Sequence, residues 1–346
     1  MKKDSLVEKI GINSNNVNLV RFVAALTVIF SHAFYVSEAK EDPLSVLTKG
    51  QVNMGGIAVG VFFFLSGLYV SKSFYKSGCD VKNYMIKRCN RVFPQLWSVV
   101  FISVFILGAL CTTNNIVSYF TNRGTYLYLL NGFLIPIHNL PGVFSGNVYI
   151  STVNGPLWTM PVEFFGYILI VVIYLIAKKI RLKSVSFKSL FLLCMTGLLV
   201  LLFAFSYIIK SSFLVAAVRA FLFFVIGVLF YCYKDSVKYS RVLFFAFVCM
   251  LVLLVKLPVY NFVLIICLPY VILAISLFVR QIPKTWDMWK CSYEMYLVGW
   301  PIQQVITMMF GGKMSALMNF VLTVPFDLII AYLLYKSFEY IQSNNK

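Results

Sequence analysis

The chain has 346 residues, of which 60% are hydrophobic and 12% charged, with a mean hydropathy of +0.85. A soluble fold could not cover that much apolar surface, so composition excludes a soluble protein of two domains and points to an all-α, polytopic membrane bundle. The formal net charge of +18 does not imply nucleic acid, because the cations sit in short segments between apolar runs, where they read as topology determinants.

Ten stretches are apolar and long enough to span a bilayer, at roughly residues 17–38, 54–74, 92–112, 157–177, 187–209, 213–233, 240–257, 259–279, 291–310 and 315–336. With the N-terminus in the cytoplasm, 22 of the 30 cations fall in inner segments and six in outer ones, while Arg21 and Arg219 lie inside spans. Lys2, Lys3, Lys9, Arg181, Lys183, Arg280, Lys284 and Lys346 are among the inner group. That imbalance predicts about ten transmembrane helices with both termini cytoplasmic. The N-terminus is polar as far as Asn16 and lacks the pattern of a cleaved signal, so the first span is expected to be retained. Eight isolated cysteines suggest neither a disulfide framework nor a metal site. The expectation is a single integral-membrane domain over residues 1–346, with no soluble appendage and no internal repeat.

The first span, VNLVRFVAALTVIFSHAFYVSE, carries Arg21 and His32. Ionisable side chains are costly in hydrocarbon, so they usually face protein or a watery cavity. Eleven residues separate them, which returns a helix to within about 20° of its starting direction and places them about 16 Å apart along its axis. One helix face thus offers a guanidinium near one end and an imidazole toward the other. Taken singly, Arg21 also reads as snorkelling to headgroups and His32 as a satisfied interior polar residue.

In the second span, Ser66 and Gly67 form either a small-residue packing notch or room for a ligand beside the first span. The next loop, YKSGCDVKNYMIKRCNRVFPQLW, sets Arg88 and Arg91 three residues apart, a natural fork for phosphate oxygens on one helical turn, or plain positive-inside charge. The outer segment 113–156 contains an aromatic piece, Tyr126 to Ile137, too short to span and so either re-entrant or interfacial. His138, in the same segment, reads as a solvated loop histidine.

The fourth span opens NGPLWTMPVEFFGYILIV, with Glu163 about six residues in from its outer end and His32 about five from that of the first span, each about 8 Å deep. Equal depth suggests an oriented general base, Glu163 fixing the tautomer or steadying the cation of His32, or else a structural ion pair. In the ninth span, Ser292, Tyr293, Glu294 and Tyr296, with Gln303 and Gln304 further along, either line a polar channel or hydrogen-bond between helices. Arg219 in the sixth span has no evident role.

The order Arg21 with His32, FFFLSG at 62–67, KRCNRVFP at 87–94, GPLWTMPVEFFGY at 155–167 and SYEMYLVGWPIQQ at 292–304 resembles the bacterial membrane acyltransferase-3 family across nearly the whole chain. The resemblance implies transfer of an acyl group, usually acetyl, from cytoplasmic acyl-coenzyme A to a hydroxyl of a cell-surface glycan, glycolipid or small acceptor. It implies catalytic roles for His32 and Glu163 and a coenzyme-binding role for Arg88 and Arg91; Arg21, from its place in the first span, is a further cofactor-binding candidate on the path of the acyl arm. Ser66, Tyr293 and Tyr296 are the accompanying candidates for substrate binding. Gly299 departs from relatives with histidine before Trp-Pro, and the hydrolase-like domain of some relatives is not expected. The implied enzyme is an O-acyltransferase of the bacterial inner membrane that uses acetyl-CoA as a substrate, holds no permanent cofactor or metal, and contacts membrane lipids and an extracytoplasmic or lipid-linked glycan. Tyr126, Tyr128 and Tyr149 are candidates to stack on sugar faces or to anchor at the interface. A lipid-linked glycan flippase or transporter is the main alternative, and an envelope glycan polymerase is a third.

Overall fold

Where lipid replaces water, every backbone N–H and C=O needs a partner within the chain, and an apolar run meets that need as a helix. The structure, a computed structural model, describes residues 15–179, 184–278 and 287–344. Lys2, Lys3, Lys9, Arg181, Lys183, Arg280, Lys284 and Lys346, part of the predicted charge asymmetry, lie outside the described residues. Among those residues the chain is helical, with two isolated bridges, Thr112 to Val143 and Asn139 to Thr152, and no strand.

The helices are α1 (Asn15–Tyr35), the short α2 (Pro43–Leu47), α3 (Met54–Lys76) and α4 (Val81–Ile102, continuing through a π-helical turn to Cys111). Next come the short α5 (Ile116–Thr121) and α6 (Arg123–Leu127), and a 3₁₀ turn, Gly155–Trp158, that leads into α7 (Thr159–Lys179). The rest are α8 (Ser184–Phe203), α9 (Ser212–Cys232), α10 (Arg241–Leu253), α11 (Tyr260–Phe278), α12 (Ser292–Met309) and α13 (Ala316–Asn344). Polar residues start several of them: Asn53, Asp80, Ser211 and Ser240 each accept a hydrogen bond from the backbone N–H three residues on, supplying a bond the helix start lacks.

Each of the ten predicted stretches holds a helix. Among the described residues, eight helices have the length and apolarity to cross a membrane. α10, at 13 residues, is about 20 Å long and short of a hydrocarbon core of about 30 Å. α12 is a continuous helix whose apolar run is interrupted by Glu294, Gln303 and Gln304. Short connections make successive long helices antiparallel; the end carrying residues 112–158 is the upper end below.

α3 and α9 form the tightest pair. A Cβ on Gly67 would stand 2.1 Å from the Phe224 carbonyl oxygen, and one on Gly227 2.2 Å from that of Phe64, so only glycine permits this approach. α1 packs against α3, α12 and α13, whereas α8 lies at the edge, buried along little of its apolar length, with Phe187, Phe191 and Leu202 turned inward.

The aromatic piece after α6 runs back along α4. Phe133 meets Trp97 edge-on with centroids 4.9 Å apart, and a Cβ on Gly132 would be 2.5 Å from the Trp97 ring. Trp97 lies fourteen residues before Cys111, about 21 Å down the axis, so this segment reaches well below the upper end of α4, as a re-entrant piece would. Tyr119 fastens it by donating to the Val104 carbonyl at 2.8 Å. Burial pushes the Tyr119 phenol up to about 12, which keeps it a donor.

Candidate active site

Two cavities lie one above the other inside the bundle. The lower, of about 1380 Å³, is lined by Arg21 of α1, Ser66 of α3, Arg88 and Arg91 of α4, Glu163 of α7, and Tyr293 and Tyr296 of α12. Seven of the eight predicted site residues therefore surround one space. Arg88 and Arg91 share a face of α4 because they are three residues apart. Their guanidiniums rest on rings: Arg88 is 5.9 Å from the centroids of both Tyr84 and Tyr167, and Arg91 is 5.1 Å from that of Tyr293. Arg21 lies 5.8 Å from the Tyr69 centroid. Aromatic faces hold a guanidinium without neutralising it or using up its in-plane donors. Nε of Arg88 is buried without a hydrogen-bond partner. Lys87 and Lys290 also line the cavity, whose lining carboxylates are Glu163 and Glu339. The excess of cations suits an anion with several charges.

Glu163 is clamped on one side. Its Oε1 accepts from Ser66 Oγ at 2.7 Å and from Tyr167 Oη at 2.6 Å, Tyr167 being one helical turn on. Oε2 receives neither bond and is left toward the cavity. Gly67 is the packing notch of the pair, set against α9, while Ser66 lines the lower cavity and donates to Glu163.

The eighth predicted residue, His32, lines the upper cavity, of about 1070 Å³. Its ring stands edge-on to Trp300, centroids 5.0 Å apart, and Trp300 meets Tyr149 in the same way at 5.1 Å. The expected partnership of Glu163 with His32 is not formed: the carboxylate faces the lower cavity and the imidazole the upper. Counting depth from the outer end of each span misses this, because α1 ends at Tyr35, three residues past His32, and Gly155–Trp158 is a 3₁₀ turn. The predicted shared face of Arg21 and His32 does appear, with one residue opening on each cavity. Tyr296 and Val59 line both cavities. The Tyr296 hydroxyl is 2.8 Å from that of Thr159 and donates to the Pro156 carbonyl at 3.0 Å.

Gln303 and Gln304 turn out to bond between elements. Gln303 donates to the Ile29 carbonyl at 2.8 Å, and Gln304 to the carbonyls of Tyr149 and Thr152, each at 2.9 Å. Trp300 Nε1 also donates to Thr152 at 3.0 Å, so α12 pins the long upper segment over His32. Of the tyrosines proposed to stack on sugars, Tyr149 lines the upper cavity, Tyr128 is fully buried, and Tyr126 donates to the Phe120 carbonyl. His138 is an exposed loop residue, as read from the sequence, and it also borders the upper cavity. Sequence reasoning left Trp300 and Tyr167 without roles although both stand in the quoted motifs. It also missed Asp327, fully buried with both carboxylate oxygens unpartnered and 3.4 Å from where a Cβ on Gly299 would be.

A family model described as an acyltransferase domain matches residues 14–336. The chain is 31% identical over 156 residues to a protein of Shigella phage Sf6 named O-acetyl transferase, a match covering 45% of this chain and 44% of that one. It is 30% identical over 162 residues to nodulation protein 10 of Rhizobium leguminosarum bv. viciae, covering 44% and 42%. In both, less than half of the relative's length is spanned. No solved structure matches the chain.

Proposed function

The chain belongs to the acyltransferase-3 family, and from that premise we propose that it moves an acyl group, acetyl in the first instance, from cytoplasmic acyl-CoA to a hydroxyl of a cell-surface glycan or glycolipid. The similarity to a protein named O-acetyl transferase favours acetyl. The observation that carries the reading is the pair of cavities separated by Tyr296 and Val59, cation-rich below and histidine-bearing above. In this reading the lower end is cytoplasmic, as the charge imbalance predicts, and the membrane is the bacterial inner membrane.

Arg88 and Arg91 hold the coenzyme's phosphates, and Arg21 lies further in, so the acyl-bearing arm runs upward past Ser66 and Glu163 toward Tyr296. The acceptor enters from above. Its hydroxyl oxygen attacks the thioester carbonyl carbon while His32 takes the hydroxyl proton; the new C–O bond forms, the C–S bond breaks, and the coenzyme thiolate leaves and is protonated as the free thiol. Glu163 acts beside the donor, where its free oxygen balances the arginine charge and borders the path of the arm. Tyr293 and Tyr296 form the wall along that path.

The test is sidedness in vesicles holding the purified protein in one orientation, with each substrate confined to a chosen side. The expected result is product only when acetyl-CoA is on the lower-end side and acceptor on the other. Product formed only when both share the lower-end side would overturn transfer across the bilayer, and absence of acetyl-CoA binding in a calorimetric titration would overturn the acyltransferase reading itself.

A further inference from the structure

Arg219 of α9 lines the upper cavity although it is only 5% exposed. Its Nη1 donates to Asn261 Oδ1 at 2.6 Å and to the Gln51 carbonyl at 3.0 Å, both neutral. Among the described residues no carboxylate lies within ion-pair distance of it. Its Nη2 comes so close to α3 that a Cβ on Gly56 would stand 2.6 Å away. The structure thus holds a nearly buried positive charge, uncompensated, against the wall of a cavity. Such a charge is costly unless something opposite meets it.

Three exposed cations, Lys49, Lys210 and Lys256, line the same cavity, and no aspartate or glutamate does. The carboxylates just behind its wall are already engaged. Asp42 accepts from Ser31 Oγ and from the backbone N–H groups of Ser45 and Met54, and Glu41 from Ser45 Oγ at 3.2 Å. The backbone is mixed: the first turns of α3, α9 and α11, through Gly55, Ser212 and Asn261, and the last turn of α1, through His32 and Tyr35, all line the cavity, so its positive character rests on the side chains.

We propose that the acceptor taken by the upper cavity is anionic: it carries a carboxylate or phosphate oxyanion close to the hydroxyl that is acylated. This rests on reading the upper cavity as the acceptor's site. An oxyanion of that kind comes either from an acidic sugar or from the diphosphate that joins a sugar to a lipid carrier. Arg219 with Lys49, Lys210 and Lys256 recognises the charge, while Trp158, Tyr149 and Trp300 offer ring faces to the sugar.

The experiment uses the purified full chain in neutral detergent and two matched pairs of probes. One is methyl glucuronide against its uncharged carboxamide, which keeps every hydroxyl. The other is a short-chain polyprenyl diphosphoglucose against the corresponding polyprenyl glucoside. Binding is read by calorimetry and acyl transfer separately. The charged member of at least one pair is expected to bind about tenfold tighter or better, the size of one charge-assisted hydrogen bond. Preference within the first pair identifies an acidic sugar, and preference within the second alone identifies the carrier diphosphate. In Lys49→Gln/Lys210→Gln/Lys256→Gln the ratio should fall toward one; these side chains are exposed, so the variant tests the proposal even where Arg219→Gln fails to fold. Equal binding within both pairs, or a preference that the triple variant keeps in full, overturns the proposal. Transfer to an uncharged acceptor with no charge preference would leave the acyltransferase reading standing, and charge preference without any transfer would do the reverse.

Discussion

The hydroxyls of Tyr296 and Thr159 are hydrogen-bonded at 2.8 Å, at the level where the two cavities meet. Tyr296 is therefore a fixed wall between them. Tyr296→Phe keeps the ring and loses hydrogen bonds worth about 0.5–1.5 kcal/mol each, so it should transfer acyl groups with a slightly lowered Tm. Tyr296→Ala opens the wall and should release free coenzyme in the absence of acceptor, as water reaches the thioester. Coenzyme release measured with and without acceptor checks this; unchanged coupling in the alanine variant would show that the ring is no partition.

His32→Ala should remain folded and lose about 10²- to 10⁴-fold in transfer rate, the usual cost of removing a general base. The motivating observation is a histidine facing the upper cavity against Trp300. A rate within a few-fold of the parent would remove His32 from the chemistry.

Glu163→Gln keeps the shape of the side chain but not its charge, and the loss of charged hydrogen bonds to Ser66 and Tyr167 should lower kcat/KM by about 10- to 100-fold. Because the carboxylate does not touch His32, the limb of the pH–rate profile that reports the histidine should stay where it is. A displaced limb in Glu163→Gln would mean that the two residues titrate as a pair.

Arg88→Ala and Arg91→Ala should each weaken acetyl-CoA binding by about 10- to 100-fold, at roughly 1.5–3 kcal/mol per charge-assisted bond to phosphate. Higher salt should reproduce part of the loss. Titration of the coenzyme into each variant gives the answer, and parental affinity would return both arginines to the status of topology charges.

Gly67→Ala places a methyl group 2.1 Å from the Phe224 carbonyl oxygen. Overpacking of this kind costs about 1–3 kcal/mol, so a lower Tm in detergent and poorer recovery of folded protein are expected. Ser66→Ala, one residue away, adds no atoms but removes a bond to the Glu163 carboxylate, so it should lower the rate through Glu163 together with a lowered Tm that comes from the lost bond and not from overpacking. Equal Tm values for Gly67→Ala and the parent would show that α3 and α9 can part without cost.

Hydropathy alone located each long helix, because lipid-facing and core-facing residues are both apolar and the run length is the signal. Residues that share one helix were also legible: the eleven-residue step from Arg21 to His32 and the three-residue step from Arg88 to Arg91 depend on a single helical period. Relationships between helices were not. Depth counted from a span's end misassigned Glu163, because the 3₁₀ turn at Gly155–Trp158 and the end of α1 at Tyr35 are tertiary outcomes. Arg219 had no role in the sequence because its partners Gln51 and Asn261 are 168 and 42 residues away. Asp327 went unnoticed inside an apolar run whose facing neighbour, Gly299, belongs to another helix.

The backbone contact of Gly67 with Phe224 and of Gly227 with Phe64 bears on how the protein works as a machine. α3 carries Ser66 and Val59, and α9 carries Arg219, so the seam joins the helices that furnish both chambers. Carriers that alternate their access swing one half of the molecule against the other and expose a single site first to one side and then to the opposite side. A seam with carbonyl oxygens at glycine distance resists that swing, since parting it leaves a void that no side chain can fill. Under the proposed function the walls stay still and the cargo moves: only a slender thioester arm would have to pass Tyr296, so a stationary septum would hand an acyl group from one chamber to the other without either half of the bundle swinging.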